Sequence, residues 1–126
     1  MVNDRIAADL AALAQESFCY LTTTGRITRR PHTIEIWFAL SQRTVYMLSG
    51  NGPHARADWV RNLAKAPAVT IRVRDREFAG IARIVEDPDE DTLARRLLLD
   101  KYGPTDAGDL TDWGRTALPV AVDLAG

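Results

Sequence analysis

The sequence predicts a mainly β, α+β protein, built as a small antiparallel barrel of about six strands with helices beside it. Short segments that alternate apolar and polar side chains recur along the chain, as they do in half-buried strands. Turn-forming residues separate most of these segments by only a few positions. Helical spacing is confined to a few stretches between hairpins and near the ends. This order of elements is typical of a small antiparallel barrel.

The strands are placed by their alternation and by the turns around them. Gly25 ends the first strand, Pro31 starts the second, and Ser41 to Thr44 forms a turn into the third. An antiparallel meander is the simplest arrangement, and the last strand could re-enter the sheet. The predicted strands cover residues 18–24, 31–40, 45–49, 69–73, 78–85 and 118–122.

The clearest helix signal follows the fifth strand. Asp87 is the expected N-cap, Pro88 takes the first helical position and Glu90 stands where a capping box needs it. Gly103 and Pro104 end the helix. Capping and the helix dipole explain the acidic cluster at its start, so no metal site is predicted there.

Two further helices are predicted. Residues 3–15 place apolar side chains at helical spacing, and residues 53–65 bring Trp59 and Leu63 together at i,i+4. Residues 106–116 are expected to form a loop or a short helical turn.

Composition predicts one globular domain, residues 1–126. The chain is 46% hydrophobic and 26% charged, which is usual for a domain of this length. Sixteen basic and seventeen acidic residues leave a formal charge of −1. Nothing in this balance attracts nucleic acid or an anionic membrane, so we expect a small-molecule ligand and neither of those partners.

Cysteine and histidine usage argues against a disulfide scaffold and a zinc site. Cys19 is the single cysteine, and His32 and His54 have no metal-ligand spacing. The chain has neither an apolar run of about 20 residues nor a signal-peptide pattern. These features predict a cytoplasmic protein without a metal.

The segment SGNGPHARADW, from Ser49 to Trp59, combines a strand end, two glycines and a helix start. Its backbone N–H groups could cradle a phosphate, and the alternative is a flexible strand-to-helix turn. Arginines could gather at the same anion. They are Arg26, Arg29, Arg30, Arg56 and Arg61.

The second strand has one face that reads as core and another that is polar. Ile34, Ile36, Phe38 and Leu40 share the first, and Thr33, Glu35, Trp37 and Ala39 share the second. Glu35 either faces water, pairs with an arginine or contacts a ligand, with pairing favoured. Ser49, His54 and Asp58 lack a nucleophile-elbow pattern, so no catalytic residue is predicted.

Four segments together carry a family resemblance. They are YLTTTGRITRRPH, VYMLSGNG, ADWVRNLAKAPAVTIRV and TALPVAVDL. The chain resembles the deazaflavin-dependent nitroreductases, split β-barrels related to the pyridoxamine 5′-phosphate oxidase-like flavin-binding proteins. The resemblance implies an antiparallel split β-barrel of about six strands with flanking helices.

The resemblance also implies an oxidoreductase. Reduced coenzyme F-420 would pass a hydride to a quinone, nitro compound or enone, and the protein would be a homodimer. The alternatives are a flavin mononucleotide (FMN) reductase, or a non-catalytic module that binds a flavin, haem or lipid.

The family pattern implies which residues bind the cofactor. The carried-over positions are Pro31, His32, Thr33, Ile34, Glu35, Ser49, Gly50, Asn51, Gly52, Asp58, Trp59 and Asn62. This chain departs from the pattern at several of its cations. Ile27 stands for a lysine, His32 for an arginine and Gly50 for a lysine. Arg29, Arg30 and Arg56 are the expected replacements, and Tyr102 is the counterpart for tyrosines that face the substrate.

Overall fold

The computed structural model describes residues 10–50, 57–103 and 110–125. Residues 10–13 are helical. The strands are β1 (Cys19–Thr24), β2 (Pro31–Ile36), β3 (Ala39–Ser41), β4 (Thr44–Ser49), β5 (Ala68–Val73), β6 (Arg76–Ile84) and β7 (Leu118–Leu124). The helices are α1 (Asp58–Lys65), α2 (Pro88–Tyr102) and α3 (Thr111–Thr116).

The seven strands form one antiparallel sheet in the order β2-β1-β5-β6-β7-β4-β3. The two edge strands, β2 and β3, are joined through only Trp37 and Phe38. Three Cα steps span at most about 11 Å, so the sheet must curl until its edges approach each other. The result is an open, split barrel, which confirms the predicted fold class.

The pairings of the expected meander are present, since β1 pairs with β2 and β3 pairs with β4. The last strand, β7, re-enters the sheet as the sequence allowed, between β6 and β4. The strand number is seven rather than six because the predicted strand over residues 31–40 is divided into β2 and β3. The pairing buries almost all of β7, because both of its faces lie against apolar layers.

The predicted strand over residues 31–40 is two strands. Phe38 leaves the sheet ladder because its N–H and its carbonyl oxygen both bond the hydroxyl of Tyr102, at 3.0 and 3.1 Å. The Lys101 ammonium donates to the same carbonyl at 2.9 Å. The face assignment is nevertheless right, since Phe38 lies in the inner core with Ile34 and Ile36 packed against it.

Two apolar cores lie on opposite sides of the sheet. The inner core fills the barrel and is closed by Val60 and Leu63 of α1. The outer core lies under α2, whose Ala94 and Leu98 pack against Tyr46. Both helices therefore hold the curvature of the sheet.

The start of α2 confirms the predicted cap. The Asp87 carboxylate accepts the N–H of Glu90 at 2.9 Å, with Pro88 in the first turn. The capping-box role of Glu90 is wrong. Its carboxylate instead accepts two bonds from Arg83, at 2.6 and 2.7 Å, and one from the Tyr46 hydroxyl at 2.7 Å. A bidentate guanidinium is a stronger partner than a backbone N–H.

The helix expected over residues 53–65 begins at Asp58. Ala57 is extended and is the N-cap of α1, while residues 51–56 lie outside the described part of the chain. Residues 3–9 of the expected first helix and residues 104–109 also lie outside it. None of the described helices is long and apolar enough to cross a membrane.

Candidate functional site

A cleft of about 400 Å³ lies between the β1–β2 turn, β2 and α1. We call it the turn cleft. It brings together six of the predicted cofactor-binding residues, which are His32, Thr33, Ile34, Asp58, Trp59 and Asn62. The rest of its lining is Thr23, Gly25, Arg26, Ile27 and Thr28.

Arg26 is the best-ordered cation of the turn cleft. Its guanidinium donates to Asp58 Oδ1 at 3.1 Å and to Asn62 Oδ1 at 2.9 Å, and its backbone N–H donates to the same amide oxygen at 3.1 Å. Asn62 is buried and donates to Thr23 Oγ1 at 3.3 Å. Asp58 and Asn62 therefore fix Arg26 between the turn and α1. A guanidinium has five donors, and three of those of Arg26 are used by Asp58 and Asn62, so two remain for an anion.

The β1–β2 turn is tightly closed. The Arg29 N–H donates to the Gly25 carbonyl at 3.0 Å, and the Gly25 N–H donates to the Arg30 carbonyl at 2.8 Å. A Cβ on Gly25 would lie 2.6 Å from His32 Nε2 and 2.7 Å from Thr28 Oγ1. Glycine is required here because the imidazole packs directly over it.

The other predicted cations are less defined. Arg29 and Arg30 are exposed on the turn outside the cleft lining, and Arg61 is exposed on α1. Arg56, Asn51 and Gly52 lie outside the described residues. Arg26 lies in the first of the four segments that carried the resemblance, and its partners, 32 and 36 residues away, lie in the third.

A second cleft, of about 420 Å³, lies beside the C-terminal half of β2. We call it the tryptophan cleft. It is lined by Glu35, Ile36, Trp37, Leu48, Leu110 and Trp113. Of the four neighbouring residues with which Glu35 was grouped, His32, Thr33 and Ile34 line the turn cleft, so Glu35 lies apart from them.

Two indole rings shape the tryptophan cleft. Trp37 stacks on Tyr102 with centroids 4.3 Å apart and an angle of 4°, and it meets Trp113 edge-on at 5.6 Å and 87°. Stacked and edge-to-face contacts of this kind stabilise fixed ring orientations. The cleft walls are therefore ordered before any ligand arrives.

Tyr102 supports the tryptophan cleft from behind. Its hydroxyl contacts the Ser17 carbonyl at 2.7 Å and the backbone of Phe38, and burial raises its pKa to about 12. These bonds occupy the hydroxyl, so Tyr102 is not the substrate-facing tyrosine counterpart. The half-buried Trp113 is the aromatic side chain that lines this cleft with Trp37. The sequence analysis missed it, because it lies in the stretch read as loop.

Ser49 and Gly50, the described start of the predicted phosphate-binding segment, lie near Trp113 rather than at the turn cleft. Ser49 is buried at the end of β4, and a Cβ on Gly50 would lie 3.5 Å from the Trp113 indole. Neither residue lines the turn cleft. No cluster of three metal-ligating side chains occurs among the residues that the structure describes.

Comparison with known proteins decides the family. The model of the family described as F420H(2)-dependent quinone reductase matches residues 5–125. The chain belongs to this family. It is therefore an F-420-dependent oxidoreductase, and the resemblance read from the sequence is confirmed. No curated protein matches the chain.

Solved structures share the fold. A structure described as an F420-H2 dependent reductase (FDR-A) is 19% identical, with a TM-score of 0.68 over 84% of this chain and 93% of that one. A putative pyridoxamine 5′-phosphate oxidase from Listeria innocua is 18% identical, with a TM-score of 0.69 over 100% of this chain and 95% of that one. A structure described as a domain-swapped dimer is 16% identical, with a TM-score of 0.69 over 97% of this chain and 99% of that one.

Proposed function

We propose that this protein reduces a quinone with reduced F-420, holding the cofactor in the turn cleft and the acceptor in the tryptophan cleft. The adjacency of the clefts along β2 carries the proposal. Ile34 lines one and Glu35 lines the other, and their side chains point to opposite faces of β2. Because β2 is an edge strand of the sheet, ligands that extend around this edge from the two clefts would meet. Neighbouring ligands are the requirement of a direct hydride transfer, because the donor and acceptor atoms must meet.

The turn cleft has the side chains that an anionic, ring-bearing cofactor needs. Arg26 is held with donors to spare, and guanidiniums bind phosphate and carboxylate through paired hydrogen bonds. Ile34 and Trp59 add apolar surface for a flat ring. When bound, the reduced deazaflavin supplies the hydride.

The proposed cofactor-binding set combines this cleft with its surroundings. His32 and Thr28 present polar atoms beside Arg26, and Arg30 adds positive charge at the turn. Among the described residues, the set is Arg26, Arg30, Pro31, His32, Thr33, Ile34, Asp58, Trp59 and Asn62.

The tryptophan cleft suits a planar, weakly polar acceptor. Trp37 and Trp113 offer two perpendicular ring surfaces, and Ile36, Leu48 and Leu110 make the remaining wall apolar. Such walls bind a quinone ring by stacking and keep water from the space where hydride passes. The protein's part is positioning, since hydride transfer needs no protein nucleophile.

We further propose that residues 1–126 are one domain and that the protein works as a cytoplasmic homodimer. Both cores lie against a single sheet, and the thiol of Cys19 is fully buried and free. A related fold is described as a dimer. A net charge of −1 favours small molecules over nucleic acid or membrane as ligands.

A matched pair of variants tests the division of labour. Arg26→Ala should weaken F-420 binding in a fluorescence titration and leave the KM for the quinone menadione nearly unchanged. Trp113→Ala should raise the KM for menadione and leave F-420 binding nearly unchanged. Arg96→Ala, at an exposed position of α2, is the control and should change neither.

The same assays separate the alternatives. Tighter binding of FMN than of F-420 to the unmodified protein would favour the FMN reductase. Binding of neither, with no reduction of quinone, would favour the non-catalytic module. If Trp113→Ala weakened F-420 and spared the quinone KM, the assignment of the two clefts would be reversed.

A further inference from the structure

Glu35 is the one charged side chain among the described residues that line the tryptophan cleft. The rest of this lining consists of two indoles and three aliphatic side chains. Glu35 is exposed, and the pairing with an arginine that its position in the strand suggested is not found among the described residues. Its negative charge is therefore available to a ligand in the cleft.

The charge of Glu35 stands beside fixed aromatic rings. Glu35 is two residues before Trp37, so their Cα atoms are at most about 7 Å apart, and both side chains line the same cleft. Trp113 adds a second indole, perpendicular to that of Trp37 with the centroids 5.6 Å apart. Because Trp37 also stacks on Tyr102, its ring is held in one orientation.

Two aromatic rings and a carboxylate form an arrangement that binds organic cations. The face of an aromatic ring attracts an alkylammonium group, and tryptophan attracts it most strongly. The carboxylate adds a direct attraction, and no basic side chain of the described lining opposes it. An anionic ligand would instead be repelled by Glu35.

The proposed reaction also favours a positive charge in this cleft. A hydride brings a hydrogen nucleus and two electrons to the acceptor, which is reduced while the cofactor is oxidised, so the charge of the acceptor becomes more negative by one unit. In a neutral quinone this charge would develop beside the carboxylate of Glu35, which opposes it. A cationic group on the acceptor offsets the new charge, and water supplies the proton that completes the hydroquinone.

We propose that the tryptophan cleft selects acceptors that carry an organic cation, held by Glu35 and the two indoles. This rests on the proposed function and narrows its substrate class to aromatic acceptors with an alkylammonium or similar group. The acceptor ring packs on the aliphatic wall, which is made by Ile36, Leu48 and Leu110. A cleft of about 420 Å³ has room for both the ring and the cation.

Three quinones of nearly equal size test the selection. They share a naphthoquinone ring and a propyl side chain, which ends in trimethylammonium, in its uncharged analogue tert-butyl, or in sulfonate. With reduced F-420 as the donor, kcat/KM should be roughly tenfold higher for the cationic quinone than for the uncharged one, because an exposed ion pair and an exposed cation–π contact each contribute about two- to fivefold. The sulfonate should be the poorest acceptor.

Substitutions separate the two parts of the site. Glu35→Gln keeps the size of the side chain and removes its charge, so it should lower the ratio of kcat/KM for the cationic and uncharged quinones about threefold. Trp113→Leu keeps the wall apolar and should lower the same ratio through loss of the ring. Glu77→Gln, at an exposed position of β6 outside the cleft lining, is the control and should leave the ratio unchanged. Comparing one ratio among variants cancels the intrinsic reactivity of each quinone.

A binding measurement without cofactor keeps this inference distinct from the proposed function. In calorimetric titrations the unmodified protein should bind benzyltrimethylammonium, and Glu35→Gln should raise its Kd about threefold. An unchanged kcat/KM ratio in Glu35→Gln, or no binding of benzyltrimethylammonium to the unmodified protein, would overturn the cation site. Binding that depends on Glu35, without F-420-dependent reduction of any of the three quinones, would refute the proposed function and support the cation site.

Discussion

Asn62→Ala is the sharpest test of how the turn cleft is built. The Asn62 amide accepts two hydrogen bonds from Arg26, at 2.9 and 3.1 Å, and donates one to Thr23 at 3.3 Å. Alanine removes all three and leaves the partly buried Arg26 N–H without its acceptor. At about 1 kcal/mol for each bond, the free energy of unfolding should fall by about 2–3 kcal/mol.

The same substitution should weaken cofactor binding. Without Asn62, Arg26 keeps only its contacts with Asp58, whose side chain is largely exposed. Loss of its alignment should raise the F-420 Kd roughly tenfold, the equivalent of about one charge-assisted hydrogen bond. Denaturant unfolding followed by circular dichroism measures the stability, and a fluorescence titration measures the affinity.

Asn62→Asp is the control for the stability prediction. The aspartate carboxylate is the same size as the amide. It can accept both hydrogen bonds from Arg26, and the Thr23 hydroxyl can donate a third to it. Asn62→Asp should therefore lower the free energy of unfolding clearly less than Asn62→Ala does. Equal losses for the two variants, or a loss below about 0.5 kcal/mol for alanine, would refute the hydrogen-bond account.

Three other predictions concern separate parts of the molecule. Gly25→Ala should displace His32 from the turn and weaken F-420 binding in titration, and unchanged affinity would contradict the close contact. The bonds from Arg83 and Tyr46 lower the pKa of Glu90 in the folded protein. The ionised carboxylate therefore stabilises the fold fully above about pH 4.3, the ordinary pKa of glutamate, and this stabilisation is lost as the pH falls through the lowered pKa of the folded state. Unfolding curves of the unmodified protein and Glu90→Gln should therefore converge in acid. Burial raises the pKa of Cys19 to about 12, so a disulfide reagent at pH 8 should label it only after denaturation.

Local patterns in the sequence determined most of the elements. Alternation located the strands because side-chain direction in a strand depends only on neighbouring residues. The cap of α2 was readable for the same reason, since Asp87, Pro88 and Glu90 lie within one turn. The ordered segments around the Thr-Thr-Gly-Arg motif also carried the family resemblance, which the family comparison confirmed.

Only the tertiary structure decided what depends on distant partners. The break between β2 and β3 is made by Tyr102, which lies 64 residues beyond Phe38. The carboxylate of Glu90 binds Arg83 on β6 and Tyr46 on β4 rather than its own helix. No local pattern encodes these contacts, because they exist only once the sheet has curled and α2 has packed on it.

The site divides in the same way. The sequence predicted that β2 carries cofactor-binding residues. The structure assigned Ile34 and Glu35 to different clefts, because α1 covers one end of β2 and Trp113 approaches the other. Adjacent residues of a strand point to opposite sides, so what each one meets depends on which elements the fold brings to that side.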